Sequence, residues 1–329
     1  EDGIRDVLGG LVGSEMCIRD RVKIALTGAT GFIGQHVARE LSRCNVAVRL
    51  LARNPAKVLL PDNAGEVVRG SLADDQALAR LVAGTDAVIH CAGSVRGATL
   101  EQFSRVNADG AARLAGIAQR EGCARFLLLS SLAAREPGLS PYAASKRAGE
   151  NSVAQAAGTM TWAAFRPPAV YGPGDKEMLP LFQLMARGVA PVFGSEDARF
   201  SLIFAPDLAQ AIVAWSLNEE PPPGIFELDD GKKNGYGWRD ITETITALTG
   251  RPVRMLRIPS SVLSIPAAVN WLLGRYLNRT PMLTPGKIRE LRHPDWVCHP
   301  NPALAAVGWR PQHSLAEGLA ATPGWRRET

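Results

Sequence analysis

Between residues 22 and 172, short apolar runs alternate with longer stretches in which apolar residues recur every three or four positions. The short runs have the length of buried strands, and the longer stretches have the period of helices. The predicted strands are VKIALTG, VAVRLLAR, DAVIHCAG, RFLLLSS and TWAAFRPPAVYG, and the predicted helices are GFIGQHVARELSRC, ADDQALARLVAG, LEQFSRVNADGAARLAGIAQREG and SPYAASKRAGENSVAQAAG. Alternation of this kind predicts an α/β fold with a doubly wound parallel sheet, covered by helices on both faces.

Three glycines stand where the first predicted strand meets the first predicted helix, at Gly28, Gly31 and Gly34. In this setting the first glycine allows the turn, the second lets the backbone approach a pyrophosphate, and the third lets the helix pack close to the sheet. The helix N-terminus adds free N–H groups and a positive dipole end. A tight turn without a ligand is the alternative, but the strand–turn–helix setting favours a Rossmann dinucleotide site.

The end of the second predicted strand indicates which dinucleotide binds. Enzymes that use NAD usually have an acidic residue there, which binds the ribose 2′-hydroxyl. This chain instead reads LLARNPAK, with Arg53 in the equivalent region and Lys57 nearby. Because an arginine offers a planar fork of donors to a 2′-phosphate, we expect NADP(H) to be favoured over NAD(H). The alternative is that Arg53 is an ordinary surface residue.

Groups that suit proton transfer follow a later strand. The segment LLLSS ends in Ser130 and Ser131, and YAASK carries Tyr142 and Lys146 on one face of the next helix. A free tyrosine has a pKa of about 10, and a neighbouring ammonium group lowers that pKa toward neutrality. Since Y-x-x-x-K is common by chance, the prediction depends on the order of the glycine turn, the serine pair and the Tyr–Lys pair.

Six motifs occur in order between Val22 and about Asp230: TGATGFIG, VIHCAG, VNADG, LLLSS, YAASK and RPPAVYGPGD. Together they resemble the extended short-chain dehydrogenase/reductase superfamily, the NAD-dependent epimerase/dehydratase-like group that includes 3β-hydroxysteroid dehydrogenase-like reductases. The resemblance implies that Tyr142 is the general acid/base, that Lys146 lowers its pKa and binds the nicotinamide ribose, and that Ser131 binds the substrate carbonyl. The cofactor-binding residues that it implies are Gly28, Thr30, Gly31, Phe32, Ile33, Gly34, Arg53, Ala92, Asn107, Lys146, Pro168 and Val170. It also implies a homodimer that packs through helices near 105–119 and 142–156.

Some positions depart from the pattern of that superfamily. Ser71 replaces an aspartate that often contacts the adenine. In sugar-nucleotide epimerases an arginine before a Y/H-V-x-D segment grips the diphosphate, whereas here Arg199 and Asp207 flank an altered segment, 204–206. We therefore expect Arg199 not to bind a diphosphate and Asp207 to cap its helix. His90 and Cys91 of VIHCAG are expected to be packing residues.

Composition limits the other classes of function. The 329 residues are 46% hydrophobic and 21% charged, which suits a folded chain with a sizeable core. The net charge is +5, but the basic residues are scattered, so no nucleic-acid site is predicted. The dispersed cysteines fit the cytoplasm and predict neither disulfides nor a metal site; they are Cys17, Cys44, Cys91, Cys123 and Cys298.

Two further segments need separate interpretation. The stretch IPSSVLSIPAAVNWLLGRYL, residues 258–277, contains two prolines, an asparagine and an arginine, so no stable membrane span is predicted. We expect a helix from about Ala267 that packs on the core, and an apolar lid or a shallow membrane contact is the alternative. The first residues show no signal-peptide pattern, and we expect residues 1–21 to be a non-native or disordered tail.

After Gly172 the alternation gives way to shorter, less regular elements, which predicts a smaller, irregular C-terminal substrate domain. We assign residues 22–174 to the NAD(P)-binding Rossmann domain, with 200–228 packing back on it. Residues 175–199 and 229–329 are then the substrate-binding domain.

The sequence thus predicts an NADP(H)-dependent oxidoreductase that interconverts a carbonyl and a secondary alcohol on a medium-sized, rather apolar small molecule. The apolar segment 258–277 and the weak diphosphate signature favour this function over sugar-nucleotide chemistry. The alternatives are an NAD-dependent sugar-nucleotide epimerase or dehydratase, and a catalytically idle NADPH-binding scaffold. The intact Ser131, Tyr142 and Lys146 argue against the scaffold.

Overall fold

The structure is a computed structural model that describes residues 22–58, 65–259 and 283–326, with positions 262, 264, 265, 267 and 270–272 between the last two ranges. Within these residues, seven strands form one sheet in which every neighbouring pair is parallel. They are β1 (Lys23–Thr27), β2 (Ala47–Ala52), β3 (Glu66–Arg69), β4 (Ala87–His90), β5 (Arg125–Leu129), β6 (Thr161–Arg166) and β11 (Gly224–Glu227). The spatial order is β11-β6-β5-β4-β1-β2-β3, so the predicted doubly wound sheet is confirmed.

Helices cover both faces of this sheet. In chain order, the helices whose bounds are described are α1 (Phe32–Arg43), α2 (Asp75–Val82), α3 (Leu100–Ser104), α4 (Gly110–Arg120), α5 (Pro141–Ala156), α6 (Leu179–Ala186), α7 (Ala205–Leu217), α8 (Trp238–Thr249), α9 (Pro285–Arg292) and α10 (Leu315–Ala320). Because successive strand residues point to opposite faces, Ile24 packs with α1 and α7 while Ala25 packs with α2, α4 and α5. Both clusters are fully apolar, as a sheet buried on two sides requires.

A third apolar cluster lies in the C-terminal half, around α6, α8 and α10. Short strands surround it: β7 (Ala169–Tyr171), β8 (Val189–Phe193), β9 (Arg199–Phe200), β10 (Leu202–Phe204), β12 (Tyr236–Gly237), β13 (Arg254–Ile258) and β14 (Asp295–Trp296). Strand β11 joins the main sheet beside β6, and α7 packs on α1. Residues 1–21 and most of the 258–277 segment lie outside the described residues, although Ala267 is buried.

Local features of the chain mark the start of one helix and the end of another. Ser140 caps α5 by accepting a hydrogen bond from the Ala143 N–H at 3.0 Å. Gly250 ends α8 with a φ of +67°, which a glycine adopts without strain. The four cysteines that the structure describes form no disulfide. None of the described helices combines the length and the apolar composition needed to cross a bilayer.

The long helix predicted after β4 is present, with a π-helical turn over Arg105–Asp109 between α3 and α4. Two other local predictions are wrong for identifiable reasons. The segment TWAAFRPPAVYG forms two strands because Pro167 and Pro168 interrupt it. Helix α7 begins at Ala205, so Asp207 lies inside its first turn and does not cap it. The Asp207 carboxylate instead accepts hydrogen bonds from the backbone N–H groups of Gln312 and His313, each at 2.9 Å.

Candidate active site

The turn between β1 and α1 is built so closely that two of its positions must be glycine. Gly28 has a φ of +77°, and a Cβ there would lie 2.5 Å from the Ala92 nitrogen. A Cβ on Gly34 would lie 2.1 Å from the Gly28 carbonyl oxygen. At Gly28 the turn packs directly on the residues after β4, and at Gly34 helix α1 packs directly on the turn. The glycine spacing from which the phosphate-binding turn was predicted is therefore required by the folded chain, because there is no space for a side chain at Gly28 or Gly34.

The start of α1 is open to a ligand. Gly31 is the residue before the first helical turn, is exposed, and offers no capping side chain. No acidic side chain lies in the first turn of α1, so the N–H groups from Phe32 onward and the positive dipole end stay available to an anion. Thr30, also exposed, precedes this turn. These features fit the pyrophosphate of a dinucleotide.

The adenosine end of the predicted site carries two arginines. Arg53 is exposed and follows β2 directly. Arg69, also exposed, ends β3 and pairs in register with Ala52, so the two guanidinium groups start from adjacent strand ends. The sequence analysis missed Arg69 because it missed β3, whose EVVR sequence buries only Val68. The side chain of Lys57 lies outside the described residues.

The two serines at the end of β5 have different partners. Ser130 is buried, and its hydroxyl donates to Glu150 Oε1 at 2.5 Å. Glu150 is itself held by Arg166 through contacts of 2.7 and 2.5 Å. Ser131 is partly exposed, accepts weakly from the Ala133 N–H at 3.3 Å, and lies close enough to Tyr142 to lower the pKa of its phenol. Only Ser131 is therefore available to a substrate.

Tyr142 lies in the first turn of α5, beside Ser131. Its ring meets Phe103 edge-on, with 5.8 Å between the ring centres. Burial raises the pKa of Tyr142 to about 12, against a lowering by the Ser131 hydroxyl and a further raising by the charge of Glu290. The phenol is therefore protonated at neutral pH and suits the donation of a proton.

Lys146 lies one turn after Tyr142 on α5. Its Nζ donates to the Leu129 carbonyl at 2.9 Å, and its side chain is 8% exposed. Burial lowers the pKa of Lys146 to about 8. Burial dominates the pKa of both groups and the Nζ is directed to the end of β5, so a lowering of the Tyr142 pKa by this ammonium stays a prediction.

Asn107 lies in the π-helical turn and braces the loop after β4. Its Oδ1 accepts from the Ser94 N–H at 2.8 Å, and its Nδ2 donates to the Ser94 carbonyl at 3.0 Å and to Ser145 Oγ at 2.9 Å. A Cβ on Gly93 would lie 3.2 Å from both Asn107 Oδ1 and Lys146 Nζ. A π-helical turn at this place is common at functional sites.

The segment after β6 completes the carboxyl edge of the sheet. Pro168 is partly exposed, and the adjacent Pro167 carbonyl accepts from the Leu132 N–H at 2.9 Å. Val170 lies in β7, in register with Ile203 of β10. The ends of β1, β4, β5 and β6 therefore meet along one edge, where a doubly wound sheet holds its ligands. The structure brings all the predicted catalytic and cofactor residues except Arg53 close to this central edge, with Arg53 at the neighbouring strand.

Other candidate residues have structural partners. Arg199 donates to the Asn234 carbonyl at 2.8 Å and lies 3.4 Å from Asp240. His90 is fully buried, its Nδ1 lies 2.6 Å from Thr27 Oγ1, and burial lowers its pKa to about 3. Burial also raises the pKa of Cys91 to about 12, so this thiol is unreactive at neutral pH. The described residues contain no cluster of side chains suited to a metal ion.

Fold and site together define a class of enzyme: an NAD(P)-dependent extended short-chain dehydrogenase/reductase. Dinucleotide binding follows from the glycine turn and the open start of α1, and carbonyl chemistry suits the Ser131–Tyr142 pair with Lys146 one turn away. The family model of the NAD dependent epimerase/dehydratase family matches residues 24–228, and the chain belongs to this family.

Three comparisons extend this result. The chain is 42% identical over 306 residues to the ceramide reductase of Caulobacter vibrioides, covering 92% of this chain and 94% of that protein. It is 28% identical to the 2-alkyl-3-oxoalkanoate reductase of Stenotrophomonas maltophilia, over 91% of this chain and 97% of the relative. The solved structure of MoeE5 in complex with UDP-glucose and NAD has a TM-score of 0.70 at 20% identity, covering 92% of this chain and 98% of that one. The last likeness concerns the fold alone.

Proposed function

We propose that the protein reduces a carbonyl group on a long-chain, ceramide-like lipid to a secondary alcohol with NADP(H). The observation that carries the reaction type is the proximity of Ser131 to Tyr142 at the carboxyl end of β5, close enough for Ser131 to lower the pKa of the phenol. The lipid class is supported by the 42% identity, over nearly the whole length of both chains, to a protein named ceramide reductase. A second relative is also named as a reductase, of an alkyl-substituted oxoalkanoate.

Ser131 and Tyr142 place two hydroxyl groups where one carbonyl oxygen can accept from both. The reduced nicotinamide, when bound, supplies the hydride that goes to the carbonyl carbon. Tyr142 gives its phenolic proton to the oxygen, which suits a group with a pKa of about 12 that is protonated at neutral pH. Ser131 holds the oxygen and stabilises the charge that develops on it. We assign two roles to the Lys146 ammonium. It binds the nicotinamide ribose, and it stabilises the tyrosinate that forms when Tyr142 gives up its proton.

We further propose that NADP(H) is favoured over NAD(H). Arg53 follows β2 without a neighbouring carboxylate at that strand end, and Arg69 ends the adjacent strand. The test is calorimetric titration with NADPH and NADH of the wild type, of Arg53→Asp, and of Arg120→Asp, a control on the exposed end of α4. We expect Arg53→Asp alone to weaken NADPH binding by about 10- to 100-fold, because it loses a charged hydrogen bond. Tighter NADH binding by the wild type would overturn the preference.

The substrate test compares a long-chain ceramide-type ketone with UDP-glucose. We expect consumption of NADPH with the lipid and none with the sugar nucleotide, and loss of the lipid activity in Tyr142→Phe. Epimerisation of UDP-glucose by enzyme that retains NAD would instead support the second candidate function, a sugar-nucleotide epimerase. Against that candidate, Arg199 is engaged by Asn234, Gly235 and Asp240 and is not presented to a diphosphate. The intact Ser131–Tyr142 pair counts against an idle scaffold.

Three coarser parts of the account also remain proposals. The division into a cofactor domain and a substrate domain is supported by the separate apolar cluster around α6, α8 and α10. A homodimer through the helices near 105–119 and 142–156 rests on the superfamily resemblance, and light scattering tests it directly. A cytoplasmic location is supported by the thiol state of the described cysteines, and fractionation of cells tests it.

A further inference from the structure

The most exposed large apolar side chains of the described chain are concentrated in two segments. Six of them have between 48% and 71% of their surface exposed. We call these six residues the apolar rim: Val95, Leu100, Leu256, Val262, Ile265 and Leu272. The other exposed large apolar residues in the described ranges reach no more than 40% and are Val67, Leu184, Ile225, Met255 and Leu291. Clustering of this kind marks an interaction surface.

The two segments of the rim are joined to each other. Trp271 Nε1 donates to the Ala98 carbonyl at 3.0 Å, which links the segment after β13 to the loop after β4. Ala98 and Ala267, one in each segment, are both buried. The exposed rim residues flank this junction in the sequence on both sides. The Trp271–Ala98 hydrogen bond therefore connects the two segments of the apolar rim, one from each half of the chain.

The rim adjoins the candidate active site. Val95 follows Ser94, whose backbone is held by Asn107. Leu100 lies three residues before Phe103, whose ring meets that of Tyr142. The stretch from Val95 to Phe103 thus carries two rim residues together with the ring that contacts the proton donor.

Basic residues border the rim. Arg254 and Arg257 flank Leu256 on β13 and are exposed, and Arg96 follows Val95. Arg257 lies 2.5 Å from a carboxylate oxygen of Glu196, and Arg96 lies 2.7 Å from one of Glu177. Of the three arginines, Arg254 forms no ion pair with a described residue. An apolar centre with a basic edge is the pattern of a surface that inserts shallowly into an anionic bilayer. A long-chain lipid substrate is itself held in a bilayer.

We propose that the apolar rim inserts into an anionic membrane, so that the lipid substrate enters the site directly from the bilayer. The identity of that lipid rests on the proposed function, whereas the membrane contact rests on the rim and its arginines. The contact is peripheral, since it uses single side chains from a loop, a strand and helical positions. It explains why the most exposed large apolar side chains of the described residues are concentrated in these two segments.

The test is flotation of the full chain with vesicles of phosphatidylcholine alone and of phosphatidylcholine mixed with phosphatidylglycerol. The rim variant is Val262→Asp with Ile265→Asp, and the matched control is Leu184→Asp with Ile225→Asp, two apolar positions outside the rim. We expect the wild type and the control to bind the anionic vesicles, and the rim variant to bind at least about ten-fold more weakly. Binding should fall with added salt.

Three results would overturn the proposal: no binding by the wild type, equal binding to both kinds of vesicle, or unchanged binding by the rim variant. A wild type that self-associates through the rim, shown by a smaller particle for the rim variant in light scattering, would also overturn it. NADPH titration and reduction of a short, water-soluble ketone serve as folding controls and should not differ between the variants. Vesicle binding without lipid reduction would leave the membrane contact intact and reject the proposed function alone.

Discussion

Ser130 and Ser131 are adjacent in the chain, and the structure predicts opposite consequences for their replacement by alanine. Ser130→Ala removes a 2.5 Å hydrogen bond to Glu150, a carboxylate that is 1% exposed. Glu150 keeps both contacts to Arg166, so its charge stays paired. The loss is therefore one hydrogen bond to a charged group, about 2 kcal/mol of unfolding free energy. For a chain of this size that lowers Tm by roughly 4 °C, with the rate constant of the folded enzyme little changed.

Ser131→Ala removes a hydroxyl that lies beside Tyr142 and that we propose binds the substrate carbonyl. Its structural cost is small, since the contact to the Ala133 N–H is 3.3 Å long and is worth at most about 1 kcal/mol. Its catalytic cost is larger, because one of the two donors to the carbonyl oxygen is lost. Loss of such a donor lowers kcat by about 100-fold.

The assay is thermal unfolding together with steady-state reduction of the ketone by NADPH, for both variants and for Ser216→Ala. Ser216 is a buried helical serine that donates to the Ile212 carbonyl at 2.8 Å, away from the site, and serves as the matched control. We expect Ser130→Ala to change Tm more than kcat, and Ser131→Ala to change kcat more than Tm. A larger rate loss in Ser130→Ala than in Ser131→Ala would refute the assignment of the pair.

Three further predictions follow from the same edge of the sheet. Gly34→Ala should abolish dinucleotide binding in calorimetry, because its Cβ would lie 2.1 Å from a backbone oxygen of Gly28; normal binding would contradict the steric account. Glu290→Gln should lower the pKa of Tyr142, since the Glu290 charge raises it, and should shift the acidic limb of the alcohol-oxidation pH profile to lower pH; an unmoved limb would contradict this. The folded-state pKa of Lys146 is lowered from 10.5 to about 8, so between these two pH values the unfolded chain binds more protons than the folded chain. As the pH rises through that window, the wild type therefore gains stability relative to Lys146→Met. The gain is up to about 3 kcal/mol of unfolding free energy, measured by urea unfolding. A difference that is constant with pH would contradict the buried ammonium.

The parts of the fold that were predictable from sequence are those with local causes. The glycine turn was predictable because each glycine answers a steric need within a few residues, and the Ser140 cap because its partner is three residues away. Strand β3 was missed because an edge strand with one buried valine lacks the apolar run that marks an inner strand. Arg69 was missed with it.

The errors at the site arise from distant contacts. Asp207 looked like a cap, but its carboxylate is taken by backbone N–H groups at Gln312 and His313, more than a hundred residues away. The Tyr–Lys spacing correctly places both residues on one helix. It cannot reveal that burial outweighs their mutual influence, nor that Glu290 on α9 adds a charge near Tyr142.

The central claim is that the protein transfers a hydride from NADPH to the carbonyl carbon of a long-chain lipid while Tyr142 protonates the oxygen. The most direct measurement uses NADPH deuterated at the reactive carbon of the nicotinamide and mass spectrometry of the lipid product. The account predicts an alcohol that carries a single deuterium on the former carbonyl carbon, and no such product from Tyr142→Phe. An unlabelled lipid together with conversion of a sugar nucleotide, without net consumption of NADPH, would contradict it.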